Sequence, residues 1–263
     1  MSTKIAYASD LHLRQYHKFF NQRAMSFPES SDVIVLAGDI AIGHEASDIV
    51  DELSEQYPSS HIVWVAGNHE FYGTNIDVQT DYFRQVCATS EQVHFLENAS
   101  VEIKGITFIG CTLWSDFSIL GDSEEAKNVA GQSINDFFHI ETAGGQRFTP
   151  DHAVLKFQES HSYLESQLSQ LDPLKTVVVT HFPPGMNTRN TKYPIDPLTA
   201  YFQANVEELI TTYQPSNWIY GHNHFSNQIQ ISQTNVVSNQ LGYRSEEGRI
   251  PPYSPNKLIT FDL

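Results

Sequence analysis

Five apolar runs along this chain are continuous rather than alternating, and each stops at side chains able to bind a metal. Residues 4–8 lead into Ser9-Asp10-Leu11-His12, residues 33–37 into Gly38-Asp39, and residues 62–66 into Gly67-Asn68-His69-Glu70. Residues 177–179 lead into Thr180-His181, and residues 218–220 into Gly221-His222-Asn223-His224. An unbroken apolar run is the pattern of a strand in a sheet covered on both faces. Open α/β sheets bind ligands at the carboxyl ends of their strands, so five such ends can build one site from distant parts of the chain.

Helical spacing fills the gaps between the runs. Residues 45–57 place Ile49, Val50, Leu53 and Tyr57 on one face, and residues 76–88 place Val78, Tyr82, Phe83 and Val86 on another. Thr149-Pro150-Asp151 reads as a helix start, with a capping hydroxyl, proline at the first helical position and an acid in the first turn. That helix carries Val154, Phe157, Leu164, Leu168 and Leu171, and a further helix is expected over about 198–213. Residues 14–30 read as an irregular or partly helical connection. Short strands are expected at 93–96, 228–232, 235–237 and 258–263, with a hairpin joining 101–103 to 106–109 through Lys104-Gly105. Strand–helix alternation followed by antiparallel strands predicts a layered α/β fold, taken as one domain over residues 1–263. Residues 115–148 follow no strong pattern and contain Asp116, Asp122, Glu124, Glu125, Asn135 and Asp136. Long patternless segments are usually functional, so a lid over the site is favoured over a solvated loop.

Composition narrows the partners. A formal charge of −16 over 263 residues repels polyanions and disfavours nucleic acid or an acidic membrane. A small phosphorylated substrate stays open, because bound cations would reverse the charge locally. Cys87 and Cys111 are the only cysteines and are expected as buried free thiols. No segment reaches the roughly 18 apolar residues of a membrane span, and the N-terminus carries no signal-like stretch; a cytoplasmic protein is the expectation.

The chemistry of the run ends points to metal. Asp10 and His12 share a face if the strand period continues, and His222 and His224 repeat that spacing. Asp39 has two oxygens with which to bridge two cations, Asn68 offers a carbonyl oxygen, and His181 an imidazole. Taken singly, each is more often a polar edge residue; five runs ending alike shift the balance. The mixed imidazole and carboxylate set suits Mn, Fe or Zn rather than Ca or Mg, and the lack of thiolates argues against an iron–sulfur cluster. Two divalent metal ions can clamp the attacking and leaving oxygens of an in-line displacement. The chain has no GxxxxGK[ST], GxSxG or HExxH. His17, His44, His61, His94, His139, His152 and His161 lack comparable placement and read as surface or locally bonded.

With these blocks in this order, the chain resembles the calcineurin-like metallophosphoesterase superfamily. The resemblance implies a four-layer α/β/β/α sandwich of two mixed sheets and a dinuclear centre. It implies that Asp10, His12 and His224 hold one metal, that Asn68, His181 and His222 hold the other, and that Asp39 bridges. It implies that His69 is the catalytic acid, acting through a metal-activated hydroxide mechanism on a phosphoester. Glu70 stands where the superfamily often has Asp and is expected to orient His69 by accepting its other N–H. Asp39 is followed by Ile40-Ala41-Ile42-Gly43, without the acid or amide and the arginine found in protein Ser/Thr phosphatases; Arg14 is the nearest substitute. Phe71, Tyr72, Trp114 and Phe117 are available to stack on a base, and equally suited to pack in the core, since strand ends are rich in aromatics. A phosphodiesterase on a small or nucleotide-like substrate is the leading expectation, with a phosphomonoesterase or a non-catalytic scaffold for a protein partner behind it.

Overall fold

The apolar runs are strands, and they are continuous because each is buried on both faces. The computed structural model describes residues 2–13, 25–246 and 251–262. Arg14, His17 and most of the connection over 14–30 lie outside the described residues. The first part of the chain forms β1 (Ser2–Ala8), β2 (Val33–Ala37), α1 (Glu45–Gln56), β3 (His61–Val65), α2 (Ile76–Cys87) and β4 (Val93–Phe95). The hairpin β5 (Ala99–Ile103) and β6 (Ile106–Cys111) follows, then α3 (Ser123–Ser133) and α4 (Asp136–His139). A two-stranded ribbon, β7 (Glu141–Thr142) and β8 (Gln146–Arg147), precedes α5 (Pro150–Leu168) and β9 (Thr176–Thr180). The remainder holds α6 (Thr199–Phe202), α7 (Glu207–Tyr213), β10 (Asn217–Tyr220), β11 (Gln228–Ile231), β12 (Thr234–Ser238) and β13 (Leu258–Asp262).

One sheet has the order β13-β1-β2-β3-β4 and the other β11-β12-β10-β9-β6-β5. Strand parity sorts their side chains. Ile5, Tyr7, Val33, Val35, Val63 and Val65 of the first sheet meet Phe108, Val177, Val179 and Ile219 of the second in one buried cluster. The alternate residues Ile34, Leu36, Ile62, Trp64, Val178 and Trp218 belong to a second cluster shared with the helices. α1 and α2 pack on the first sheet and α5 on the second, which gives the four layers. Each fully buried large aliphatic or aromatic side chain contributes about 1.5–3 kcal/mol.

The centre of each sheet is parallel, and this brings the run ends together. β1 pairs β2 with Ala8 opposite Leu36, and β2 pairs β3 with Ala37 opposite Val65. β9 pairs β10 with Val179 opposite Ile219. The chain therefore leaves β1, β2, β3, β9 and β10 at one shared edge. Within these two sheets, antiparallel pairing is confined to β13, β5 and β11 at the flanks.

Local signals hold well at turns and caps. Lys104 and Gly105 both have positive φ, 52° and 77°, as a two-residue hairpin turn requires. Thr149 caps α5, with the His152 side chain closing the capping box. Both cysteines are buried free thiols.

Three expectations change. The buried stripe of α2 runs through Ile76, Gln79, Thr80, Phe83 and Cys87, while Val78 is 68% exposed. The helix expected over 198–213 is two short helices, because the Ala204 and Val206 N–H groups donate to the Pro183 and Pro184 carbonyls instead of continuing a helical ladder. Residues 115–148 are structured: α3, α4 and the ribbon lie there, with Phe117, Phe137, Ile140 and Phe148 buried. Their pattern is weak because α3 buries only Ala126 and Ala130.

Candidate metal centre

The residues at the shared edge sit on tight turns rather than on extended strand. Asp10, His12, Asp39, His222 and His224 have φ of 54°, 45°, 56°, 77° and 49°. Left-handed backbone costs a non-glycine residue about 1–3 kcal/mol and persists only where its surroundings enforce it. Here the loops after β1 and β2 enforce it: Asp10 N–H donates to Gly38 O and His12 N–H to Asp39 O, both at 3.0 Å. The strand period invoked for Asp10 and His12 is therefore not what aims them. Gly38 and Gly67 admit this crowding, since a Cβ on either would collide with His181, and on Gly67 also with Asp39.

Seven side chains converge in two groups. In the first, His12 Nε2 lies 3.1 Å from His224 Nε2, and His224 Nε2 lies 3.5 Å from Asp10 Oδ1. In the second, Asn68 Oδ1 lies 3.1 Å from both His181 Nε2 and His222 Nδ1. Asp39 stands between them, with Oδ2 3.9 Å from His12 Nε2 and Oδ1 3.4 Å from His181 Nε2. His69 begins a short 3-10 turn, and its Nε2 approaches Asp39 Oδ2 at 3.8 Å.

Outer partners set which nitrogen of each ring faces inward. His181 Nδ1 bonds the Ala37 carbonyl at 2.8 Å and His224 Nδ1 bonds Glu246 Oε2 at 2.6 Å, so Nε2 of each is left with a lone pair for the cluster. Asn68 Nδ2–H donates to Asp136 Oδ1 at 2.8 Å, turning the amide oxygen toward the two histidines. Tyr72 OH and Tyr201 OH also donate to Asp136.

Glu70 does not orient His69. Its carboxylate accepts the N–H groups of Asp39, Ile40 and Gly67 at 2.9, 2.7 and 2.8 Å, clamping the loops after β2 and β3 together. His69 instead meets Tyr243, whose hydroxyl lies 3.1 Å from Nε2. The Tyr243 ring also stacks on His12 at 4.6 Å. Tyr243 reaches the site because Leu241 and Gly242 N–H groups bond the Ser9 and Asp10 carbonyls.

Asp10, Asp39, Glu70 and Asp136 are all essentially buried. Burial pushes Asp10 up to about 6 and Glu70 up to about 7, and raises Asp39 well above the carboxylate range. Burial lowers His181 and His69 to about 3, and holds His12 and His222 well below their usual range. His224 differs: burial opposes its charge, yet the Glu246 hydrogen bond leaves it raised. Burial and mutual repulsion keep four of the rings neutral, so their nitrogens hold lone pairs, while burial and neighbouring acids raise the carboxyls. Neutral imidazoles and buried carboxyls that converge in this way are a donor set that fits divalent metal.

Of the four aromatics that the sequence leaves open between a stacking wall and the core, three are core. Phe71, Trp114 and Phe117 are buried, and Trp114 packs against Phe71, Phe148 and Phe182. Only Tyr72 of that group lines the cavity that opens from the cluster, about 460 Å³ in volume. Asp136, Glu246 and Tyr243 were not singled out for these roles by sequence. Asp136 carried a weak signal as a buried-type acid between Asn135 and Phe137-Phe138; Tyr243 and Glu246 carried none.

Replacing Asp136 with Asn should weaken metal binding about 10–100-fold, the usual cost of losing an outer partner of a ligand. Calorimetric Mn²⁺ titration of metal-free protein checks this; unchanged affinity would remove Asp136 from the support of Asn68.

Comparisons with known proteins point to one family. The calcineurin-like phosphoesterase family profile matches residues 3–226. Uncharacterized protein L509 of Acanthamoeba polyphaga mimivirus is 27% identical over 276 residues, covering 95% of both chains. Phosphopantetheinyl hydrolase PptH from Mycobacterium tuberculosis has a similar fold, with a TM-score of 0.76 and 22% identity across 98% of this chain and 96% of its own. A dimetal phosphatase from Danio rerio superposes with a TM-score of 0.53 and 14% identity, covering 98% of this chain and 91% of its own. The strand-end blocks, their convergence at one sheet edge and the match across most of the chain lead to one assignment: this chain belongs to the calcineurin-like phosphoesterase family of metal-dependent phosphoesterases.

Proposed function

We propose that the chain is a dinuclear-metal phosphodiesterase acting on a small or nucleotide-like substrate. The observation that carries this reading is the placement of Asp39, whose two oxygens face different nitrogen groups, Oδ2 toward His12 and Oδ1 toward His181. Asp10, His12 and His224 would hold one divalent ion and Asn68, His181 and His222 the second, with Asp39 shared; Mn, Fe or Zn suits the set. Bound there, the two ions supply neutralisation of phosphoryl charge and acidify water enough for attack near neutral pH.

The protein's own groups do the rest. Glu70 fixes the Asp39 and Gly67 loops through three backbone bonds, so the two halves of the centre keep their spacing. His69 Nε2 faces the cluster beside Asp39, the position from which to bond an oxygen leaving phosphorus. Burial keeps His69 neutral in the free protein; the phosphate of the substrate brings the negative charge that favours a proton on that ring. The cavity has room for an organic group beyond the phosphate. Fold similarity to a protein named for phosphopantetheinyl hydrolysis accords with a small phosphorylated substrate.

Chelation tests the reading. Protein stripped with EDTA should lose hydrolysis of bis(4-nitrophenyl) phosphate and regain it with Mn²⁺, holding two metal equivalents per chain. The kcat/KM for that diester should exceed the value for 4-nitrophenyl phosphate. The reverse preference would make it a monoesterase, and no metal-dependent turnover of either would favour a scaffold.

A further inference from the structure

Beyond the metal cluster, the cavity has a second polar end. Its floor includes Asp39, Asn68 and His222, and its wall includes Arg189, Tyr193 and Gln203. Arg189 is the only Lys or Arg among the described residues lining it. Its Nη1 donates to the carbonyls of Asn190 at 3.2 Å and Tyr193 at 2.6 Å, which holds the guanidinium in place. No carboxylate pairs with it among the described residues, so most of its five N–H donors remain available.

The loop carrying Arg189 is tied to the turn that carries His222 and His224. Asn190 Nδ2–H donates to Asn223 O at 3.1 Å, and Asn223 Nδ2–H returns to Thr188 O at 2.8 Å. Arg189 is therefore held in register with the cluster. It stands toward the rim, because it bonds the carbonyl of Tyr193, a residue 58% exposed, while Asp39, Asn68 and His222 at the floor are buried. Gln203 lines the same cavity, and its Oε1 accepts from the Thr188 hydroxyl at 3.4 Å. Its amide N–H₂ brings further donors to the lining beside the guanidinium.

The acids on the cavity wall are otherwise engaged. Asp136 and Glu246 accept from Asn68 and Tyr243, and Asp196 accepts the Thr199 N–H. We infer that Arg189 and Gln203 form a subsite for a second phosphate, carried by the substrate at a distance from the scissile one. The inference rests on the phosphoesterase reading, under which the scissile phosphate is already met at the floor by the cluster and His69. A planar guanidinium with free donors suits a phosphate dianion, and in a protein of charge −16 its placement in this wall selects for anions locally.

Calorimetry with Mn²⁺-loaded protein tests this, using thymidine 5′-monophosphate and thymidine 3′,5′-bisphosphate. Wild type should bind the bisphosphate roughly tenfold or more tightly than the monophosphate. Arg189→Gln should remove most of that ratio, and Arg189→Lys should keep part of it. Equal affinity of wild type for the two nucleotides would overturn the subsite. So would a Gln variant that weakens both equally, since Arg189 would then be only a brace for its loop. Thymidine 5′-(4-nitrophenyl phosphate), with and without a 3′-phosphate, separates the two readings. Retained bisphosphate preference without turnover overturns the phosphodiesterase and keeps the subsite. Turnover with no preference overturns the subsite alone.

Discussion

Asp39→Asn is expected to lower kcat/KM by roughly a thousandfold and to reduce bound metal from two equivalents to one or fewer. A shared carboxylate supplies charge and an oxygen to each ion, and a loss of several kcal/mol of charge stabilisation corresponds to that factor. The amide is nearly the same size but offers one oxygen and an N–H₂ group, which cannot ligate. The fold should survive, for a reason visible in the metal-free protein. Burial raises the Asp39 carboxyl, and the neighbouring Glu70 and Asp10 raise it further, so removing its charge relieves repulsion. The thermal midpoint of the metal-free variant should therefore equal or exceed that of wild type. Metal analysis with steady-state kinetics decides the matter: two retained metals with an ordinary rate would end the bridging assignment.

His69→Ala should cut kcat by about 10²–10⁴-fold, the range for losing a positioned proton donor. Metal content should stay near wild type, because His69 faces Asp39 and Tyr243 from outside the two ligand groups. Kinetics alone would not separate an acid from a ligand, so the same preparation needs elemental analysis. A normal turnover number would remove His69 from the chemistry. Loss of one metal would make it a ligand, consistent with its approach to His12 and Asp39 in one compact group.

The strands and the seven convergent residues were legible because both are local in sequence. Val33–Ala37 is apolar on two faces and is followed at once by Gly38-Asp39. The same holds for β3 with Asn68 and β10 with His222. The outer partners were not legible. Asn68 meets Asp136 68 residues away, His224 meets Glu246 across 22, and His69 meets Tyr243 across 174. Nothing in the neighbourhood of Glu246 marks it as a carboxylate destined for an imidazole. Glu70 shows the opposite failure: its position beside His69 suggested a partner, yet its carboxyl turns back to three backbone donors. Four aromatic residues read as a possible stacking wall, and three of them are packing for the core.

The sequence by itself determined the layered α/β class and the strand ends whose donor side chains converge. These follow from hydrophobic period and ligand chemistry, which act within a few residues. Tertiary structure alone decided which oxygen of Asp39 faces which histidine, what holds Asn68 and His224 in place, and that Arg189 stands in the cavity wall. Those facts depend on parallel registers and on loops whose backbone N–H groups pair across long stretches of chain. Distance along the sequence carries no information about such contacts until the sheets have closed.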